Sequence, residues 1–168
     1  AIQETVRQAK QVPVLINYSV GKKRFEKRPD DEDLALLKRI EEMDMPYWFP
    51  KERIPEGDKT GEPLRIGITH VYHFYTERNL GVLSLLMDLI ERKESQFIRL
   101  VFQSVVSTLT SKLVRYNLGN RGNGPLSGTL YISSLVAESN VLKVFRGKVR
   151  DFIKIISTKR RNIVSTRS

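Results

Sequence analysis

Residues 67–80, GITHVYHFYTERNL, decide how the rest of the chain is read. This stretch joins both histidines of the protein, His70 and His73, to Tyr72, Tyr75, Arg78 and Asn79, immediately ahead of an apolar run. Thr76 has the side chain of a helix N-cap, with a hydroxyl able to accept a backbone N–H at Arg78 or Asn79. Beyond it Leu80, Leu83, Leu86, Met87 and Ile90 recur at helical spacing, so one face of the helix turns inward. His70, His73, Tyr75, Arg78 and Asn79 thus form a cluster at a helix start, where exposed N–H groups favour anions. It is a candidate for recognition or for structure, because the alternation of Val71, His73 and Tyr75 also fits one face of a short strand.

Toward the carboxyl end, Ser95 or Gln96 opens a second helix expected to reach about Tyr116. Apolar residues from Phe97 to Leu113 cover more than half of its circumference, the mark of a core helix. The loop that follows, residues 113–128, reads LVRYNLGNRGNGPLSG and contains no acid. Glycine lets backbone approach a ligand closely, arginine grips phosphate or a guanine edge, and asparagine matches adenine. Lys112, Arg115, Asn117, Asn120, Arg121 and Asn123 are therefore candidate nucleic-acid contacts. The stretch lacks the Gly-Lys-Ser/Thr ending of a nucleotide P-loop. TLYISSLV, 129–136, reads as a short strand. Ser139 or Asn140 then caps a last helix whose exposed side carries Lys143, Arg146, Lys148, Arg150 and Lys154, of which Lys148 and Arg150 join the candidate contacts. Residues 158–168 read as a basic link into a final strand, NIVS.

Toward the amino end, residues 1–11 suggest a short helix. VPVLINYSV, 12–20, and KRFEKR, 23–28, suggest a hairpin about Gly21 and Lys22, with a basic edge that resists aggregation. Asp30, Asp31, Glu32 and Asp33 open a helix at the end where carboxylates oppose the dipole, and Leu34, Leu37, Ile40 and Met43 should form its buried stripe. MPYWFP, 45–50, reads as an aromatic plug over the core, and 51–67 as an exposed, mobile excursion.

The 168 residues, 40% hydrophobic, suit a single domain, an α+β fold that is mainly helical with a hairpin and a few short strands. Absence of cysteine removes disulfides, zinc ribbons and thiol chemistry, which points to a cytoplasmic setting. Two histidines without a third ligand or an HExxH pattern leave no metal site, and no catalytic constellation stands out. No apolar run is long enough for a membrane span. The net charge of +10 is unevenly placed: residues 1–94 carry 16 Lys/Arg against 17 Asp/Glu, residues 95–168 carry 13 against 2. Such a field calls for a polyanion, double-stranded DNA foremost, or for acidic parts of a neighbouring domain. The opening within a helical run suggests an internal fragment of a larger polypeptide.

Several blocks in register carry a family likeness: VPVLINYSVGKKRFEK (12–27), PDDEDLALLKRIE (29–41), PYWFP (46–50) with PEGDKTG (55–61), GITHVYHFYTERNLGVLSLL (67–86) and GPLSGTLYISSL (124–135). Together they resemble the middle region of prokaryotic DNA methylases that modify the exocyclic amino group of adenine or cytosine, including site-specific enzymes of restriction–modification systems. In that family an S-adenosylmethionine-binding FxGxG segment precedes this region, often with a zinc-ribbon-like segment. An Asp-Pro-Pro-Tyr or Asp-Pro-Pro-Phe catalytic motif follows it. None of these motifs is present here. The resemblance implies a DNA-engaging insert, inactive alone, whose cofactor S-adenosylmethionine and catalytic residues belong to the remaining domains of the parent methylase. The alternative is a structural or protein-interaction domain that docks on acidic parts of that parent.

Overall fold

The protein, represented by a computed structural model that describes residues 11–118 and 122–165, is an α+β fold. Its elements, in order, are β1 (Ile16–Val20), β2 (Lys23–Lys27), α1 (Asp31–Glu41), α2 (Gly61–Arg65), a 3-10 turn (Val71–Phe74), α3 (Glu77–Lys93), α4 (Gln96–Leu109) and α5 (Val141–Ser165). The expected helix near the amino terminus lies, but for Gln11, outside the described residues.

The core is built where α3, α4 and α5 meet. Val101 and Val105 of α4 are wholly buried, worth roughly 1.5–3 kcal/mol each relative to exposure. Leu83 and Ile90 of α3 join Phe102 of α4 and Val141 of α5 in one apolar cluster. A second cluster, Ile54, Ile68 and Phe74, gathers Leu64, Leu113, Leu130 and Ile132 around it. Tyr75 packs against both. The inward face read from Leu80 to Ile90 is present, with Leu80, Leu83 and Ile90 buried and Leu86 and Met87 packed against the cluster.

Several expectations are corrected. The 71–75 segment is a 3-10 turn, not a strand: it is confined between Gly67, which takes a positive φ of 83°, and the Thr76 cap. His73 and Tyr75 donate their amides to His70 and Tyr72 within the turn, and the Val71 amide, at the start of the segment, donates to the Glu52 carbonyl. Residues 51–67 are not an exposed loop throughout. Ile54 and Pro63 are buried, α2 lies within the stretch, and the Ile54 amide donates to the Thr69 carbonyl. The Met45–Pro50 segment is not a plug centred on tryptophan, since Trp48 is 68% exposed; Phe49 instead meets Tyr72 edge-on at 5.5 Å. The α1 stripe is shallow. Leu37 and Ile40 are half-buried, but Leu34 is 44% and Met43 69% exposed, because among the described elements only α3 packs on this helix to any extent.

α4 stops at Leu109 rather than near Tyr116, because the Thr110 hydroxyl folds back onto the Val106 carbonyl (2.8 Å) and the Lys112 amide leaves the helix for the Phe74 carbonyl (2.7 Å). Residues 129–136 form no strand; the chain is tied instead by single bonds, Tyr116 N–H to the Leu135 carbonyl and Ala137 N–H to the Val114 carbonyl. The expected final strand NIVS belongs to α5, which continues through Ser165. Its start is as read: Asn140 accepts the Lys143 amide at 2.9 Å. No helix among the described residues is long and apolar enough to cross a membrane.

Candidate functional site

The cluster at the start of α3 is drawn together by long-range polar bonds. Thr76 accepts the Asn79 amide at 3.3 Å, as an N-cap should, and donates its own hydroxyl to Glu138 at 2.9 Å. Arg78 grips the same carboxylate with two nitrogens, Nε at 3.0 Å and a terminal nitrogen in direct contact with Oε2. Asn79, buried, sends its amide nitrogen to the Thr110 carbonyl (2.9 Å) and the Ser139 carbonyl (3.3 Å). One helix end therefore ties the exit of α4 to the entry of α5. Arg78 and Asn79 are occupied by the protein itself.

The histidines are likewise engaged. His73 Nδ1 accepts the Thr69 amide at 3.2 Å, which places the ring proton on Nε2, and Thr69 Oγ1 meets His70 Nδ1 at 2.8 Å. The two rings stand edge to face, 5.1 Å apart. Burial, with His70 and Lys112 nearby, holds His73 below its ordinary pKa, and burial lifts the Tyr75 phenol to about 12. Both thus stay neutral near pH 7. Among the described residues no three His, Cys, Asp or Glu side chains converge on a point that could hold a metal ion.

Lys112 stands half-buried beside this cluster, its ammonium pushed down by burial while Glu77 and Glu138 support its charge. Burial in turn raises the Glu77 carboxyl. Lys112 is thus set among the protein's own acids rather than on an open face. Arg115 is half-buried and bridges Gly124 and Val136 through its backbone, and its Nε is enclosed without a hydrogen-bond acceptor among the described residues. Asn117 closes the following loop on itself: its amide donates to Asn123 Oδ1 (3.0 Å) and its side chain to the Gly122 carbonyl (2.9 Å). Asn120 and Arg121 lie outside the described residues.

The cations of α5 are placed differently. At 3.6 residues per turn, Lys143, Arg146, Arg150 and Lys154 fall within about 80° of one another and extend over about 16 Å of helix. All four are exposed and none forms an ion pair among the described residues. On the opposite side Val141 is buried, Phe145 meets Phe102 edge-on, and Phe152 meets Phe97. Lys148 lies about 140° around from Lys143, flanking that apolar side, so it does not share a face with Arg150. Between the start of α4 and the later turns of α5, a groove of about 290 Å3 lined by Phe97, Ile153, Ile156 and Ser157 offers a hydroxyl as its polar side-chain group.

Sequence reading alone could not find Glu138, which lies 60 residues from Arg78. Its one mark in the sequence is rarity, since it is one of only two acids after residue 94, and that does not name its partner. Comparison with known proteins adds no relative: no protein-family model, no curated protein and no solved structure matches this chain.

Proposed function

We propose that this chain is a duplex-DNA-binding insert of a larger, cytoplasmic DNA methyltransferase that acts on an exocyclic amino group of adenine or cytosine. The observation that carries DNA binding is the stripe of Lys143, Arg146, Arg150 and Lys154, four exposed cations without an ion-pair partner among the described residues, on the face of α5 opposite its core contacts. The family likeness, which runs from about Val12 to about Ser165, supports the reaction class, and in this reading S-adenosylmethionine and the Asp-Pro-Pro-aromatic motif belong to the other domains of the parent enzyme. A base to be methylated on its amino group must leave the stack, which costs a few kcal/mol, so such an enzyme needs a firm hold on the flanking phosphates. A rigid helix with cations spaced over about five base-pair steps can provide it.

The chain should bind mixed-sequence duplex DNA with an affinity that falls steeply with salt. Replacing all four stripe residues by glutamate (K143E, R146E, R150E, K154E) should flatten the slope of log affinity against log salt by roughly 3 to 4 units, about 0.9 for each lost phosphate contact. An unchanged slope in a variant that keeps its helical circular dichroism would reject the assignment. Affinity for an acidic protein surface without affinity for DNA would favour docking on the parent.

A further inference from the structure

The β1–β2 hairpin is an element with no evident structural duty. Apart from Ile16 and Lys27 at its base every residue of both strands is exposed, and among the described elements it packs to any extent only on itself. An isolated two-stranded hairpin is marginal in water. This one is stiffened by three devices. Gly21, with φ 59°, occupies the first central position of the two-residue turn, where glycine suits the twist of the strands. Tyr18 and Phe25, directly paired across the strands, stack at 5.5 Å. Lys27 clamps the base, reaching Asp30 at 2.8 Å and Asp33 at 2.7 Å at the head of α1, and its hydrogen bond holds the Asp30 carboxyl down at about 2.

The register sorts the hairpin into two unlike faces, because side chains alternate along each strand. One face carries Ile16, Tyr18, Val20 and Phe25, with Lys27 opposite Ile16 and Lys23 opposite Val20. The other pairs Asn17 with Glu26 and Ser19 with Arg24, all exposed. Lys22 and Lys23 stand at the tip. Asparagine and arginine are the side chains that form paired hydrogen bonds with the major-groove edges of adenine and guanine, and glutamate accepts from cytosine. Strands of five residues reach about 17 Å, and a two-stranded ribbon fits a groove about 12 Å wide.

We propose that the β1–β2 hairpin enters the major groove of duplex DNA and reads base edges through Asn17 and Arg24, with Lys22 and Lys23 on the flanking phosphates. This inference rests on the DNA-binding reading above but assigns sequence recognition to a different element. In this arrangement α5 supplies the sequence-independent grip, and the stacked aromatic face keeps the ribbon straight as it inserts.

The 168-residue chain is titrated against two duplex pools of the same sequences, one with ordinary purines and one with 7-deazapurines. The second keeps every phosphate and every Watson–Crick pair but lacks the N7 acceptors of the major groove. The wild type should bind the deaza pool at least about fivefold more weakly, the lower end for loss of one bidentate base contact. N17A/R24A should bind both pools equally. R24K, which keeps the charge but not the fork, should lose much of the discrimination while its salt slope is unchanged. Equal binding of both pools by the wild type, with a steep salt slope, would overturn the hairpin assignment and leave the α5 reading standing. Absence of any salt-sensitive binding would overturn both. Should K143E, R146E, R150E, K154E retain discrimination at low salt, the division of labour between the two elements is supported.

Discussion

The start of α3 and the outer face of α5 are both rich in polar and charged side chains, yet they use them in opposite ways. At the start of α3, Thr76 and Arg78 are bound to Glu138, and Asn79 to two backbone carbonyls. On α5, Lys143, Arg146, Arg150 and Lys154 reach solvent without a partner among the described residues. Polar groups satisfied inside the protein stabilise it and have little left to offer a ligand, whereas unpaired cations on a rigid helix contribute almost nothing to folding and are free to meet phosphate. A dense motif and a binding surface are therefore different things in this chain.

The largest effect that tests this contrast is expected at Asn79. Asn79→Leu would remove both side-chain hydrogen bonds and leave the Thr110 and Ser139 carbonyls short of a donor in a buried setting. A loss of about 2–4 kcal/mol follows, read as a lower urea midpoint with an unchanged slope. DNA affinity of the folded variant should equal that of the wild type. A normal midpoint with weakened DNA binding would move Asn79 from the structural class to the binding class.

Much of the fold was legible because it rests on local rules. The Thr76 cap, the inward face of α3, the Asp30 cap and acid-first opening of α1 and the Asn140 cap of α5 each follow from residues within one or two turns. The failures share a cause, which is that tertiary partners decide short segments. Residues 71–75 and 129–136 have strand-like composition, but the described residues offer them isolated bridges, at His70 and Val136, and no strand, so one coils into a 3-10 turn and the other is tied down by single bonds. Trp48 and Met43 look like core residues, yet they stay mostly exposed. At the site, cation positions on α5 were readable from helical spacing, except that Lys148, expected on the exposed side with Arg150, lies about 160° around the helix from it and is half-buried. Glu138 was beyond reach, since its value lies in a contact across 60 positions.

A smaller effect should come from Glu138→Gln, which keeps the shape of the side chain and removes its charge. The Arg78 and Glu138 side chains are 29% and 28% exposed, so solvent weakens the pair only in part. The variant should lose about 1 kcal/mol. Lys143→Gln, at an exposed cation without a partner among the described residues, should stay within about 0.5 kcal/mol of the wild type. The DNA measurements should run the other way, with Lys143→Gln flattening the salt slope by nearly one contact and Glu138→Gln leaving it unchanged. A steeper slope in Glu138→Gln would mean that Arg78, once released, belongs with the α5 cations.

The smallest effect is a pH dependence at His73. Burial holds its folded pKa below the ordinary 6.5, so between that lowered value and 6.5 the unfolded chain carries a proton that the folded chain does not. Stability must then rise with pH through this window and fall as the solution is acidified below 6.5. His73→Asn places an oxygen where Nδ1 accepts the Thr69 amide, so it keeps that bond while removing the titration. The variant should show a flatter stability profile than the wild type from pH 6.5 downward, in parallel urea titrations at a series of pH values. Because His73 sits in the turn before α3 and not among the α5 cations, the His73→Asn and wild-type proteins should share one salt slope for DNA at pH 7. A slope that differed between them would tie the histidine to the DNA surface and erase the separation between the two regions.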